Sequence, residues 1–176
     1  MNNQVFEKDI KIDIMRYKAN QSSFLLCILA IVLNVAMFLI VYKETNCVPS
    51  YLLGIDLIIN VVFMLAAFLI AEKTKAYNKT GGIAAIILAA IEIGRIFFIP
   101  VMYYKDNLSY LKAVEEAEAS GQVLEYTGII GLGQSQFMWC LALMICAALC
   151  LVVAGLITIN KGAKLTTHLR RIEGKE

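Results

Sequence analysis

Histidine occurs once in this sequence, at His168, and none of the five cysteines forms a Cys-x-x-Cys pair. A haem ligated inside a helical domain needs histidine there, and a zinc site needs clustered cysteine and histidine. Membrane thiol oxidoreductases need a Cys-x-x-Cys motif or paired exterior cysteines to pass electrons. Cys27, Cys146 and Cys150 instead fall inside apolar runs. Cys47 and Cys140 fall near one boundary, where a bridge and two free thiols are equally compatible with the sequence. No Walker loop, dinucleotide fingerprint or His-Glu-x-x-His motif is written here. No cofactor, metal or catalytic constellation is therefore expected. Charge is also scarce, at 17% of residues, against about 25% in soluble domains.

Hydrophobic residues make up 60% of the 176-residue chain. They gather in four runs, Phe24–Tyr42, Tyr51–Ala71, Ile83–Tyr103 and Phe137–Ile159. Each holds about the 20 residues a helix needs to cross a bilayer. The expected fold class is all-α: a polytopic membrane protein with four antiparallel transmembrane helices in a bundle. Stretches outside the runs are too short to fold alone, since about 40 residues is the usual lower limit. One domain is expected, divided into an N-terminal segment (1–23), a transmembrane domain (24–159) with a long loop at 105–136, and a basic tail (160–176). The first run does not read as a cleavable signal, because a mixed-charge segment precedes it and no Ala-x-Ala pattern ends it.

Basic residues predict the orientation. With the N-terminus cytoplasmic, the inner segments hold Lys8, Lys11, Arg16, Lys18, Lys73, Lys75, Lys79, Lys161, Lys164, Arg170, Arg171 and Lys175, against Lys43, Lys105 and Lys112 outside. Both termini are accordingly expected in the cytoplasm, with the protein multi-pass in the cell membrane. Tyr42, Tyr51, Tyr103, Tyr104 and Trp139 fall at the outer ends of the runs, where amphipathic rings prefer to sit. The basic tail reads as positive-inside anchoring, and no nucleic-acid partner is expected. Phe6, Ile10, Ile14 and Tyr17 share a helical face suited to an interfacial helix, although Ile10–Ile14 also alternates like a strand. In the outer loop, Leu108–Ala119 has helical spacing with Ser120-Gly121 as its stop, and Gly128–Gly133 reads as a linker.

Packing faces can be read from small and polar residues, which join helices in lipid. In the fourth run Ala142, Cys146, Cys150, Ala154 and Thr158 recur every four residues. Gly81, Ala85 and Ala89 lead to Glu92 in the third. Asp56, Asn60, Met64 and Ala67 share a side of the second, and Cys27, Ala30, Asn34, Met37 and Val41 follow heptad-like spacing in the first. At ~1.5 Å per residue, Asp56 lies roughly 8 Å from the outer ends, Asn34 and Arg95 roughly 12 Å, Asn60 roughly 14 Å and Glu92 roughly 16 Å. Asn34, Asp56, Asn60, Glu92 and Arg95 are thus the candidate site residues. The spacing predicts Asp56 paired with Arg95, and Asn60 with Glu92. Glu92 and Arg95 are also i,i+3 neighbours, able to pair within their helix. On this reading Asp56 stays ionised beside Arg95, while Glu92 is protonated or holds a cation.

Ionisable groups at such depth are costly and mark function or helix pairing. The expected function is a non-enzymatic membrane protein, either a small subunit of a membrane complex or a self-associating component. The alternative is a small proton- or cation-coupled transporter or channel built on Asp56, Glu92 and Arg95. Its partners are the lipid bilayer and either copies of itself or other membrane subunits.

Overall fold

The computed structural model describes residues 10, 12–44, 50–121, 131–172 and 174. They form five long helices: α1 (Gln21–Glu44), α2 (Ser50–Lys75), α3 (Lys79–Phe98), α4 (Pro100–Ser120) and α5 (Gln134–Ile172). No strand occurs among the described residues. Four stretches are long and apolar enough to cross a membrane: Gln21–Lys43, Gly54–Lys75, Lys79–Ser120 and Gln134–Ile172. The reason is elementary: a continuous helix satisfies its own backbone donors and acceptors where no water can.

Several boundaries differ from the expectation. Residues 12–14 are helical and turns follow through Tyr17, so the alternating pattern does not become a strand there. Phe6, Lys8, Lys11, Cys47, Pro49 and the 128–130 part of the glycine-rich linker lie outside the described residues. The third span does not stop near Tyr103. α3 ends at Phe98, and Pro100 begins α4 as its first helical residue, where a missing N–H costs nothing. The helix expected over 108–119 is the second half of α4, which closes on Gly121 in the left-handed conformation (φ 66°). The tail is likewise not a separate segment. Its Lys, Leu, Ala and Arg residues favour helix, and α5 runs unbroken to Ile172, about 58 Å at 1.5 Å per residue.

α5 makes its largest contacts with α3 and α1, and α1 packs in turn on α2. The start of α1 meets the end of α2, where the Asn20 N–H donates to Lys75 O (2.9 Å). The start of α3 meets the late part of α5, so successive spans alternate in direction. Buried Cys27, Ala30, Ala67, Ala89, Ala147 and Leu151 pack in one cluster, while Met37, Val41, Ile96, Tyr103, Cys140 and Met144 form a second toward the opposite end.

The seam of α5 corrects one expectation. Ala142 and Cys146 are exposed and Cys150 half-buried, whereas Ala154 and Thr158 are buried. Each step of four overshoots a 3.6-residue turn by about 40°, so four steps carry a row about 160° around the helix. The buried seam instead runs Met144, Ala148, Leu151, Gly155, Thr158 and Gly162, alternating steps of four and three as a helix–helix contact requires. α3 crosses it backbone to backbone. A Cβ on Gly155 would stand 2.7 Å from Gly82 O, and one on Gly82 would stand 2.9 Å from Gly155 O.

Candidate functional site

Arg95 is the centre of the buried polar cluster. Its Nη1 donates to Glu92 Oε2 (2.7 Å) and to Asn34 Oδ1 (3.0 Å), and its Nη2 donates to Asn60 Oδ1 (2.7 Å). The guanidinium also sits over the Phe63 ring, 4.3 Å from its centroid. One side chain of α3 therefore engages α1 through Asn34 and α2 through Asn60 and Phe63. Glu92 is fully buried and Arg95 is 5% exposed. Asn34 and Asn60 are buried with them, and Asn34 Nδ2 returns a hydrogen bond to Ala30 O of its own helix (3.1 Å).

Two expected pairings are corrected. Asp56 does not bind Arg95; its carboxylate accepts a hydrogen bond from the Tyr103 hydroxyl. Asn60 and Glu92 both bind Arg95 rather than each other. Side chains on a helix lean toward its N-terminus. The Arg95 head therefore drops about one turn from its Cα, away from the shallower Asp56 and onto the level of Asn60 and Glu92. The ion partner of Arg95 is thus Glu92, not Asp56. Three buried atoms of the cluster, Glu92 Oε1, Asn60 Nδ2 and Arg95 Nε, have no hydrogen-bond partner among the described residues.

Asp56, Asn60, Tyr103, Met37, Val41 and Ile99 line a crevice that reaches this cluster. Its free space, about 10 Å³, is about that of a single water. Tyr103 links the crevice to the α4–α5 connection, since its carbonyl accepts from the Leu132 N–H (3.2 Å). Gly131 lies so close to Tyr103 O that no Cβ would fit, and Leu132 is fully buried. The described end of the glycine-rich linker thus packs against α4.

A second polar node went unread in the sequence. Asn20 is buried at the start of α1, and its Nδ2 donates to Ser23 Oγ (2.8 Å), Thr74 O (3.3 Å) and Thr158 Oγ1 (3.3 Å). Lys161 Nζ donates to Asn20 Oδ1 (3.2 Å). The available signal was an asparagine a few residues before an apolar run, at the position just ahead of α1 that reads as an N-cap. Its side chain faces α2 and α5 instead. Among the described residues, no group of three or more His, Cys, Asp or Glu side chains converges as a metal site would. Comparison with protein-family models, curated proteins and solved structures finds no match to this chain. The site is read from its own geometry.

Proposed function

We propose that this chain is a non-enzymatic integral membrane protein, acting as a small subunit of a membrane complex or as a self-associating membrane component. The observation that carries the reading is the engagement of Arg95. A buried cation held by Glu92, Asn34 and Asn60 and stacked on Phe63 ties three helices together. The crevice beside it is too small for a solute larger than water. This favours a clasp that sets helix register, a role that polar contacts play in lipid. The broad apolar face of α2, on which Ile55, Ile58, Val61, Val62, Leu65 and Leu69 are exposed, is free for lipid or for another membrane helix. The test is native mass spectrometry of the tagged protein drawn from its own membranes in mild detergent. A stoichiometric partner or a defined homo-oligomer is expected; a lone monomer overturns the reading.

A second reading, proton- or cation-coupled transport through copies of the chain, is favoured by one observation. Glu92 Oε1, Asn60 Nδ2 and Arg95 Nε retain unused bonding capacity beside a crevice lined by Asp56. Flux in liposomes that is abolished by Glu92→Gln, with assembly intact, would select it.

A further inference from the structure

The end of the molecule that carries Asn20 holds a cleft of about 420 Å³ between the turn before α1, the end of α2 and Leu165 of α5. Arg16, Lys18 and Lys75 line it with Tyr17, Tyr77 and one acid, Glu72. Counting lining side chains alone, three cations face one carboxylate, a net charge of +2. The two ion pairs at the cleft, Arg16–Asp13 (3.4 Å) and Lys75–Glu72 (3.6 Å), join side chains that are each more than 40% exposed. Pairs so long and so wet hold their partners weakly. Lys75 is also steadied over the Phe24 ring at 4.8 Å. Partial burial pushes the Tyr77 phenol above its ordinary value, so it remains a neutral hydroxyl donor at physiological pH.

What adjoins the cleft separates a lipid from a free anion. Leu69, Phe68 and Leu65 lie three, four and seven residues before Glu72, on the same face of α2, and all three are exposed. An apolar track therefore leads directly out of a basic cleft at the end of a membrane-spanning helix. Tyr17, 85% exposed, stands at its rim as interfacial tyrosines do.

We propose that this cleft is a binding site for one anionic phospholipid, its phosphate held by Arg16, Lys18 and Lys75 and its acyl chains lying along Leu65, Phe68 and Leu69. Basic pockets at the ends of membrane helices take lipid headgroups in this way, with each Lys or Arg adding severalfold to affinity. The site lies apart from the Arg95 cluster and does not depend on the proposed subunit role.

The experiment titrates delipidated protein in mild detergent with phosphatidylglycerol or with phosphatidylcholine of the same chains, reading bound lipid by native mass spectrometry. One phosphatidylglycerol should be retained with a preference on the order of tenfold. Combining Arg16→Gln, Lys18→Gln and Lys75→Gln should reduce that preference to within about twofold. A control pair, Lys164→Gln with Arg171→Gln, removes cations from the neighbouring cleft and should leave the preference unchanged. Lys18→Gln alone, at an exposed position, should lower it about threefold and serves if the triple variant does not fold. Absence of a preference in the native protein overturns the proposal. So does an equal loss in the control pair, which would mean a diffuse positive end. Displacement of the lipid by glycerol phosphate at equal concentration would do so too, since the headgroup alone would then suffice.

Discussion

Removing both partners of the Glu92–Arg95 pair should cost far less than the sum of removing each one alone. The contact is 2.7 Å long and both side chains are almost fully buried. At an effective dielectric near 20 its Coulomb attraction is about 6 kcal/mol, most of which offsets the desolvation of the two charges. Arg95→Met leaves the Glu92 carboxylate without its cation, and Asn34 Oδ1 and Asn60 Oδ1 without their donor. A loss of about 3–5 kcal/mol is expected. Glu92→Gln keeps an acceptor for Nη1 but leaves a guanidinium among neutral groups, at about 3 kcal/mol. The double variant carries no buried charge in the cluster and should lose only about 2–4 kcal/mol, less than the sum by at least about 2 kcal/mol. Steric trapping in bicelles gives the unfolding free energies for the full cycle. Losses that add to within about 0.5 kcal/mol would refute the direct pair, as would an Arg95→Met variant of native stability.

The remaining predictions concern packing, the crevice and orientation. Gly155→Leu should destabilise by more than about 3 kcal/mol, because its side chain has only Gly82 O and Ile86 to meet; Gly54→Ala, which meets nothing within 4 Å, should be neutral or stabilising by up to about 1 kcal/mol. Thermal unfolding in detergent separates the two, and equal midpoints would sink the crossing at Gly82 and Gly155. Tyr103→Phe removes the hydroxyl that donates to Asp56 and should cost about 1–2 kcal/mol, whereas Asp56→Asn keeps an acceptor and should cost less; the reverse order in chemical denaturation would contradict the bond. In intact cells, a membrane-impermeant thiol reagent should label Lys112→Cys and spare Lys164→Cys until the membrane is opened. The opposite pattern would invert the orientation that the basic residues imply.

The number of spans and the inward faces of the first three were legible because lipid leaves the chain few choices. Twenty apolar residues in a row have one economical backbone solution, and a polar residue among them marks the inward side. The heptad Cys27, Ala30, Asn34, Met37 and Val41 is buried throughout for that reason. Asn34, Asn60, Glu92 and Arg95 could be gathered by depth alone. Depth along the axis, though, records where a Cα sits and not where a long side chain ends. Arginine reaches about a turn from its backbone, so Asp56, one turn from Asn60, was assigned the partner that Asn60 holds. The α5 seam failed for a related reason. Small residues at steps of four are conspicuous in a sequence, but a straight helix does not keep them on one side. Gly155 and Gly162, whose role is backbone proximity, carry no hydrophobic signal at all.

The two polar nodes bear differently on what the helices can do. Arg95 and Glu92 belong to one helix and move together, so sliding α3 leaves their pair intact and breaks the bonds to Asn34 and Asn60. Those two are charge-assisted bonds between buried side chains, of the kind that resist exchange. The Asn20 node ties α1, α2 and α5 at the opposite level, and the Gly82–Gly155 crossing locks α3 to α5 by shape. Any cycle of opening and closing would have to trade these contacts for others of similar strength, and the nearest unused atoms are Asn60 Nδ2, Glu92 Oε1 and Arg95 Nε. All three sit within the same cluster. Small rearrangements inside the clasp are therefore easier than movement of one helix past another, which weighs toward a fixed scaffold with a hydratable centre and against rocking of one half on the other.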